Sequence, residues 1–251
     1  MSGLADRIRT ARCPRAAGVI VAAGSGTRYG KDKLRELLGG TPVLLHSLRA
    51  FERASLVDEI VLVTHPSRLE ELKTVCGGWG LSKLVRIVPG GETRTDSCLA
   101  GVLAASNRCG IVAIHDGARP LVTPELIDAV VWDAYRHGAA IPAVPVRDTV
   151  KVAAENIVKE TPDRSALYAV QTPQCFQRDI IRAALLAARQ SGAAVTDDAS
   201  AVERIGGAVW LSEGSEENIK ITTPLDLQLA ELILRRRNET CESDTDTTPT
   251  D

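Results

Sequence analysis

The chain holds 251 residues, with 30 Lys+Arg against 32 Asp+Glu for a formal net charge of −2, and only 3% of its residues are aromatic. That length can bury a full core, as one large domain or one domain with an excursion. The balanced charge and scarce stacking platforms exclude nucleic acid as an expected partner, and no apolar run is long enough to span a bilayer.

Met1 to Arg15 carries arginines but no apolar h-region, so a secretory signal is not expected; an organelle transit peptide stays open, although the segment is short for one. The six cysteines (Cys13, Cys76, Cys98, Cys109, Cys175, Cys241) form no C-x-x-C pair, and the four histidines (His46, His65, His115, His137) are equally dispersed. Reduced thiols in a cytoplasmic chain, without a zinc site, are the expectation.

The first strong signal is Val19-Ile20-Val21-Ala22-Ala23-Gly24-Ser25-Gly26-Thr27-Arg28. β-Branched residues without charge suit a strand covered on both faces. Gly24 and Gly26 let the backbone turn and come close to a ligand, leaving amides to face anionic oxygens. Arg28 adds forked donors suited to phosphate. Two familiar phosphate loops fail on spacing. A dinucleotide G-x-G-x-x-G would need glycine where Tyr29 stands, and a P-loop counted from Gly24 needs it there too. Lys33 follows; it is either a second cation over a triphosphate or a solvated lysine beside Asp32 and Arg35.

Beyond this loop, β-rich runs at 59–64, 84–88, 111–115, 139–144, 167–171, 207–212 and 218–221 continue the series begun at 17–22. Helical patterns at 42–54, 66–76, 95–106, 124–137, 177–190 and 224–237 alternate with them. The alternation predicts an α/β, Rossmann-like fold, a mostly parallel sheet flanked by helices with its ligand at the carboxyl ends of the strands.

Gly90-Gly91-Glu92-Thr93-Arg94-Thr95-Asp96-Ser97 is a second glycine turn entering a helix. Ser97 or Thr95 can cap that helix, while the paired glycines would let a flat base lie against backbone. The strand 111–115 ends in His115-Asp116-Gly117-Ala118-Arg119, placing a carboxylate and a guanidinium where an open α/β sheet binds ligand. Asp116 can hold Mg²⁺ or a hydroxyl, and Arg119 can meet phosphate. Two short alternating runs about Ala154-Glu155-Asn156 predict a β-hairpin within 146–161. An isolated hairpin is marginal in water, so a projecting arm needs a partner chain. Arg147, Asp148, Thr149, Lys151 and Arg164 on or beside it read first as charges that protect an edge. Thr196-Asp197-Asp198-Ala199-Ser200 reads first as a helix start. Lys220, between Ile219 and Ile221, either snorkels to solvent or points into a polar site. The polar, acidic run 238–251 is expected to be disordered.

In order, A-A-G-S-G-T-R, G-G-E-T-R-T-D-S, H-D-G-A-R-P, P-V-R-D-T, L-Y-A-V-Q-T-P-Q, T-D-D-A-S and N-I-K-I-T-T-P-x-D-L resemble the 2-C-methyl-D-erythritol 4-phosphate cytidylyltransferases, from about Ala17 to Arg236. The resemblance implies a single nucleotidyltransferase domain over 1–237 that moves a cytidylyl group from CTP to a polyol phosphate, releasing pyrophosphate. Ala22, Ala23, Gly24, Ser25 and Gly26 match the nucleotide loop, and Gly91, Glu92 and Ser97 the cytosine and ribose contacts. Arg28, Lys33 and Lys220 match the cations of the reaction centre. Asp116, Arg119 and Thr196 match positions around the polyol phosphate, with Thr149 and Arg164 matching contacts drawn from a partner's arm. The resemblance also implies a homodimer through the arm and Mg²⁺ carried mainly by the CTP phosphates, with no firm protein ligand and Asp116 as the candidate. Lys33 comes earlier than the family's lysine, which leaves Lys31 a rival. Two alternatives stand beside this reading, a cytidylyltransferase for ribitol 5-phosphate and a catalytically silent nucleotide-binding regulator.

Overall fold

The computed structural model describes residues 15–24, 32–192 and 195–245, with side chains described as far as Glu239. Its first strand, β1 (Ala16–Ala22), is the hub of an eight-stranded sheet. β1 pairs in parallel with β4 (Val57–Thr64) on one side and β6 (Ile111–Asp116) on the other, and β4 pairs in parallel with β5 (Leu84–Pro89). Strands β2 (Leu37–Leu38) and β3 (Thr41–Pro42) form a separate small ladder ahead of the first helix.

Beyond β6 the sheet becomes mixed. β7 (Ala139–Pro145) pairs antiparallel with β10 (Tyr168–Val170) and β11 (Gln174–Gln177), β11 pairs antiparallel with β6, and β12 (Trp210–Glu213) runs parallel to β7. Residues 218–221, expected as a strand, are not one. Their backbone donors go to loops, Ile219 to Glu217 and Ile221 to Ala118, so no ladder forms. β11 was not expected, because its residues lie against the start of a helical pattern.

Alternation along β1 and β4 places the helices. Ile20, Ile60 and Leu62 face one apolar cluster, with Leu48 and Phe51 of α1 (Val43–Arg53) and Ile127 and Val130 of α4 (Pro124–His137). Val19, Val61 and Val63 face the other, with Leu99 of α3 (Arg94–Ala104), Ile181 of α5 (Arg178–Ser191) and Val202 of α6 (Asp198–Arg204). Period-2 strands buried on both faces are what charge-free β-branched runs predict. α2 (Leu69–Gly77) covers the β5 edge after a short 3₁₀ turn. Gly101 lets α3 lie close on the sheet, since a Cβ there would overlap Val19.

The hairpin forms as expected. β8 (Val152–Ala154) and β9 (Ile157–Glu160) pair antiparallel in a sheet of their own, and every residue of both strands is exposed. Glu155 and Asn156 carry positive φ of 51° and 64°, the geometry of a tight two-residue hairpin turn. The last helix, α7 (Pro224–Thr245), starts at a proline as predicted but runs past the end expected at Arg237. The run expected to be disordered from 238 is therefore helical as far as Thr245, because it offers no glycine or proline to stop backbone pairing before Pro249. Among the described residues no helix is long and apolar enough to cross a membrane.

Candidate functional site

The register brings four strand ends to one level. Ala22 pairs with Thr64, Thr64 with Pro89, and Val21 with Asp116. A cavity of about 520 Å³ opens there, lined on one side by Ala22, Ala23 and Gly24 and on the other by Asp116 and Lys220. Lys33, His65, Gly91, Glu92 and Ser97 line a further stretch of its wall.

Backbone close-packing builds that wall. Gly90 donates its N–H to the Thr64 carbonyl at 2.7 Å, and a Cβ on it would stand 2.6 Å from Ala23 Cβ and 2.7 Å from Ser97 Oγ. The glycine is therefore required by packing as well as by any ligand. The buried Ser97 hydroxyl accepts from Gly91 N–H at 3.2 Å and donates to the Thr93 carbonyl at 3.0 Å. Neither Thr95 nor Ser97 caps α3. Thr93 does, accepting from Asp96 N–H at 3.0 Å while the Asp96 carboxylate accepts from Thr93 N–H at 3.2 Å.

Charged side chains build the opposite wall. Lys220 Nζ lies 2.7 Å from Asp116 Oδ2, and Arg94 Nη2 lies 3.5 Å from Asp116 Oδ1 and 2.8 Å from Asp198 Oδ2. Burial pushes the Asp116 carboxyl up, but Lys220 and Arg94 more than offset this and hold it below the usual carboxylate range. Burial works against the Arg94 charge too, yet Asp198 and Asp116 raise its pKa above the ordinary arginine value.

Asp116 is also held from beneath. Its N–H donates to Thr172 Oγ1 at 3.1 Å, and that hydroxyl lies 3.0 Å from Nδ1 of the buried His115. His115 Nε2 lies 3.2 Å from the Arg119 carbonyl, which can only accept. The ring proton therefore sits on Nε2, and Nδ1 accepts from Thr172. Burial lowers the His115 pKa to about 4, so the ring is neutral near pH 7. The loop that carries Lys220 is fastened at several points: Asn218 Nδ2 donates to the Thr172 carbonyl at 2.9 Å, and Gln171 Nε2 to the Ser215 carbonyl at 2.7 Å. Ile221 N–H donates to the Ala118 carbonyl at 2.8 Å.

The expected residues divide. Ala22, Ala23, Gly24, Lys33, Gly91, Glu92, Ser97, Asp116 and Lys220 come together around the cavity. Ser25, Gly26, Arg28 and the rival Lys31 lie outside the described residues. Arg119 does not line the cavity. Its Nη1 donates to the Asn218 carbonyl at 2.6 Å and its Nη2 to the Val170 carbonyl at 3.4 Å, so it braces the Lys220 loop, and burial lowers its pKa. Thr196 precedes the α6 cap and lies outside the lining. Thr149 and Arg164 are exposed on the arm and its flank, where Arg164 Nη1 donates to the Arg147 carbonyl at 2.7 Å and Arg147 pairs with Glu216. Arg94 and His65 line the cavity without having been singled out. The G-G-E-T-R motif contained the signal for Arg94; His65 carried none.

No three His, Cys, Asp or Glu side chains gather as a metal cage among the described residues. The carboxylates on the cavity wall are Glu92 and Asp116, and Asp116 already holds two cations. That donor set fits a divalent cation carried by phosphate oxygens and touched by one carboxylate, the usual habit of Mg²⁺.

Comparison with known proteins agrees with the geometry. The family model described as IspD, 2-C-methyl-D-erythritol 4-phosphate cytidylyltransferase, matches residues 16–236. A protein of that name from Pelotomaculum thermopropionicum is 48% identical over 88% of this chain and 94% of its own length. Another from Caldanaerobacter subterraneus is 46% identical over 87% and 98%. The crystal structure of a 4-diphosphocytidyl-2C-methyl-D-erythritol synthase from Anaerococcus prevotii superposes with a TM-score of 0.79 at 32% identity, covering 88% of this chain and 99% of that one. A family match across the sheet, both cavity walls and the start of α7 leaves one conclusion: the chain belongs to the 2-C-methyl-D-erythritol 4-phosphate cytidylyltransferase family.

Proposed function

We propose that the protein transfers the cytidylyl group of CTP to 2-C-methyl-D-erythritol 4-phosphate, giving 4-diphosphocytidyl-2-C-methyl-D-erythritol and pyrophosphate. One observation carries the reading to chemistry: Lys220 Nζ is held 2.7 Å from Asp116 on the wall of the cavity whose other side is the β1 glycine turn. A fixed ammonium facing a nucleotide-sized cavity suits a reaction whose difficulty is bringing two anions together.

The attacking atom is an oxygen of the polyol phosphate, already ionised near neutral pH. It forms a bond to the α-phosphorus of CTP as the bond to the bridging α–β oxygen breaks, and that oxygen leaves with pyrophosphate. No protein nucleophile or general base is needed. The four cysteines among the described residues are buried, and His115 is neutral, buried and engaged at both ring nitrogens. Ala22, Ala23, Gly24, Gly91, Glu92 and Ser97 seat the nucleotide, while Lys33, Lys220 and Arg28 neutralise charge at the reacting phosphates. Mg²⁺, when bound, would be held by CTP phosphate oxygens beside Asp116 and would neutralise triphosphate charge.

The arm supports a homodimer. Val152, Ile157 and Val158 are exposed apolar residues on a two-stranded ladder with no core of its own. A second copy would cover them and would take Thr149 and Arg164 into its own site, where Arg164 would meet the polyol phosphate. The buried, unpaired cysteines among the described residues and the soluble anionic substrates support a cytoplasmic reaction.

Neither alternative is favoured, since the relatives share the methylerythritol phosphate name over nearly their whole length. Pyrophosphate release with CTP and either polyol phosphate tests the reading. Turnover is expected with 2-C-methyl-D-erythritol 4-phosphate; preference for ribitol 5-phosphate, or release with neither, would overturn it.

A further inference from the structure

Asp198 is the most thoroughly hidden charge near the cavity, its side chain 1% exposed, and it does not line the cavity wall. It nevertheless belongs to an unbroken line of alternating charge: Lys220, Asp116, Arg94, Asp198. A single nitrogen, Arg94 Nη2, stands between the two carboxylates, nearer to Asp198 at 2.8 Å than to Asp116 at 3.5 Å.

We propose that Asp198 is a positioning residue for cytidylyl transfer: it anchors Arg94 so that the guanidinium steadies Asp116 without capturing it, leaving the other Asp116 oxygen to hold Lys220. The inference rests on the cytidylyl-transfer reading above. A buried carboxylate is costly unless paired and hydrogen-bonded, and here its surroundings fix it in place. Asp198 and Ala199 both donate their N–H groups to Gln174 Oε1, at 3.0 and 2.9 Å. Gln174 Nε2 in turn donates to Asp197 Oδ2 at 2.8 Å, and Asp197 caps the helix by accepting from Ser200 N–H at 2.9 Å. The backbone that carries Asp198 is therefore fixed, and Arg94 reaches across to its carboxylate.

The other anchor is equally firm. Arg94 is the first residue of α3, and the Thr93–Asp96 cap fixes that helix start. The guanidinium thus spans two rigid points, with one nitrogen presented to Asp116. If Asp198 lost its charge, the nearest anion for Arg94 would be Asp116, now drawn off Lys220. A tether that merely held α3 to α6 would affect stability and leave the chemical step alone.

Steady-state pyrophosphate release by the full-length protein with CTP and 2-C-methyl-D-erythritol 4-phosphate separates these roles. Asp198→Asn keeps the shape and removes the charge. It is expected to lower kcat between about tenfold and a hundredfold, with KM for CTP within about threefold of wild type. Arg94→Lys keeps the charge and removes the fork; it is expected to lower kcat similarly. Combining the two is expected to cost no more than the worse single variant, as for residues acting as one unit. A folded Asp198→Asn protein with kcat within threefold of wild type, or costs that multiply in the double variant, would overturn the inference. If Asp198→Asn does not fold, the kcat of Arg94→Lys decides alone, near-normal turnover overturning it. A wild-type protein that releases no pyrophosphate would instead bring down the underlying reading, an outcome distinct from these.

Discussion

The Asp116 wall and the β8–β9 arm treat charge in opposite ways. On the wall, Asp116, Arg94, Asp198 and Lys220 neutralise one another, and hydrogen bonds to Thr172, Gln174 and Asn218 fix the segments that carry them. On the arm, Lys151 and Lys159 stand exposed among valines and an isoleucine that the chain itself leaves uncovered. One region is preorganised within a single chain; the other leaves apolar surface that the chain does not cover. Under the proposed homodimer the site would be built at two levels, chemistry from the fold and completion from assembly.

Removing Lys220 should break this division most sharply. Lys220→Ala is expected to lower kcat by about 10²–10³, the loss typical of one preorganised electrostatic donor, with little change in KM for CTP. Near-normal turnover would move the chemistry off this wall. The next effect tests the arm: Ile157→Asp together with Val158→Asp places charge on residues 59% and 55% exposed, so folding should survive. Light scattering should show dimer becoming monomer, with turnover down roughly a hundredfold if the arm supplies substrate contacts. A fully active monomer would make the wall sufficient alone.

Arg164→Ala should act more selectively, raising KM for the polyol phosphate about tenfold to a hundredfold while KM for CTP stays put, as for loss of one charged hydrogen bond. An equal rise in both would place Arg164 on the nucleotide instead. The last effect concerns stability. His115 has a folded-state pKa of about 4 against an ordinary 6.5, so between those values the unfolded chain binds a proton that the folded chain does not. Stability should therefore fall as pH drops from about 6.5 towards 4, by up to roughly 1.4 kcal/mol per pH unit from this group, and change no further below that. Urea unfolding of wild type and His115→Gln across this window checks the sign; parallel curves would show that His115 is not the source.

The parallel half of the sheet was legible because the centres of β1, β4 and β6 are buried on both faces and read as apolar, β-branched runs. The hairpin was legible for the opposite reason, since its alternation and its Asn156 turn are local. What was hidden depends on distance along the chain. Arg94 meets Asp198 across 104 positions, and Lys220 meets Asp116 across another 104. No local pattern shows which arginine of a motif finds a partner so far away. The surroundings of Arg119 were hidden for a related reason: the carbonyls that accept from it, those of Asn218 and Val170, lie 99 and 51 positions away. The segment 218–221 misled because extended, β-branched residues do not by themselves supply a strand to pair with.

Gly101 gives the site a lever. Arg94 sits two helical turns before it on α3, about 10 Å along the axis. A methyl group at Gly101 would press on Val19 and tilt the helix about that point. A tilt of roughly five degrees would carry Arg94 by about 1 Å, a displacement that can cost a hundredfold in rate. Gly101→Ala should therefore detune transfer from the core without touching any group that meets the substrates. A search for altered activity confined to the cavity lining would never sample it.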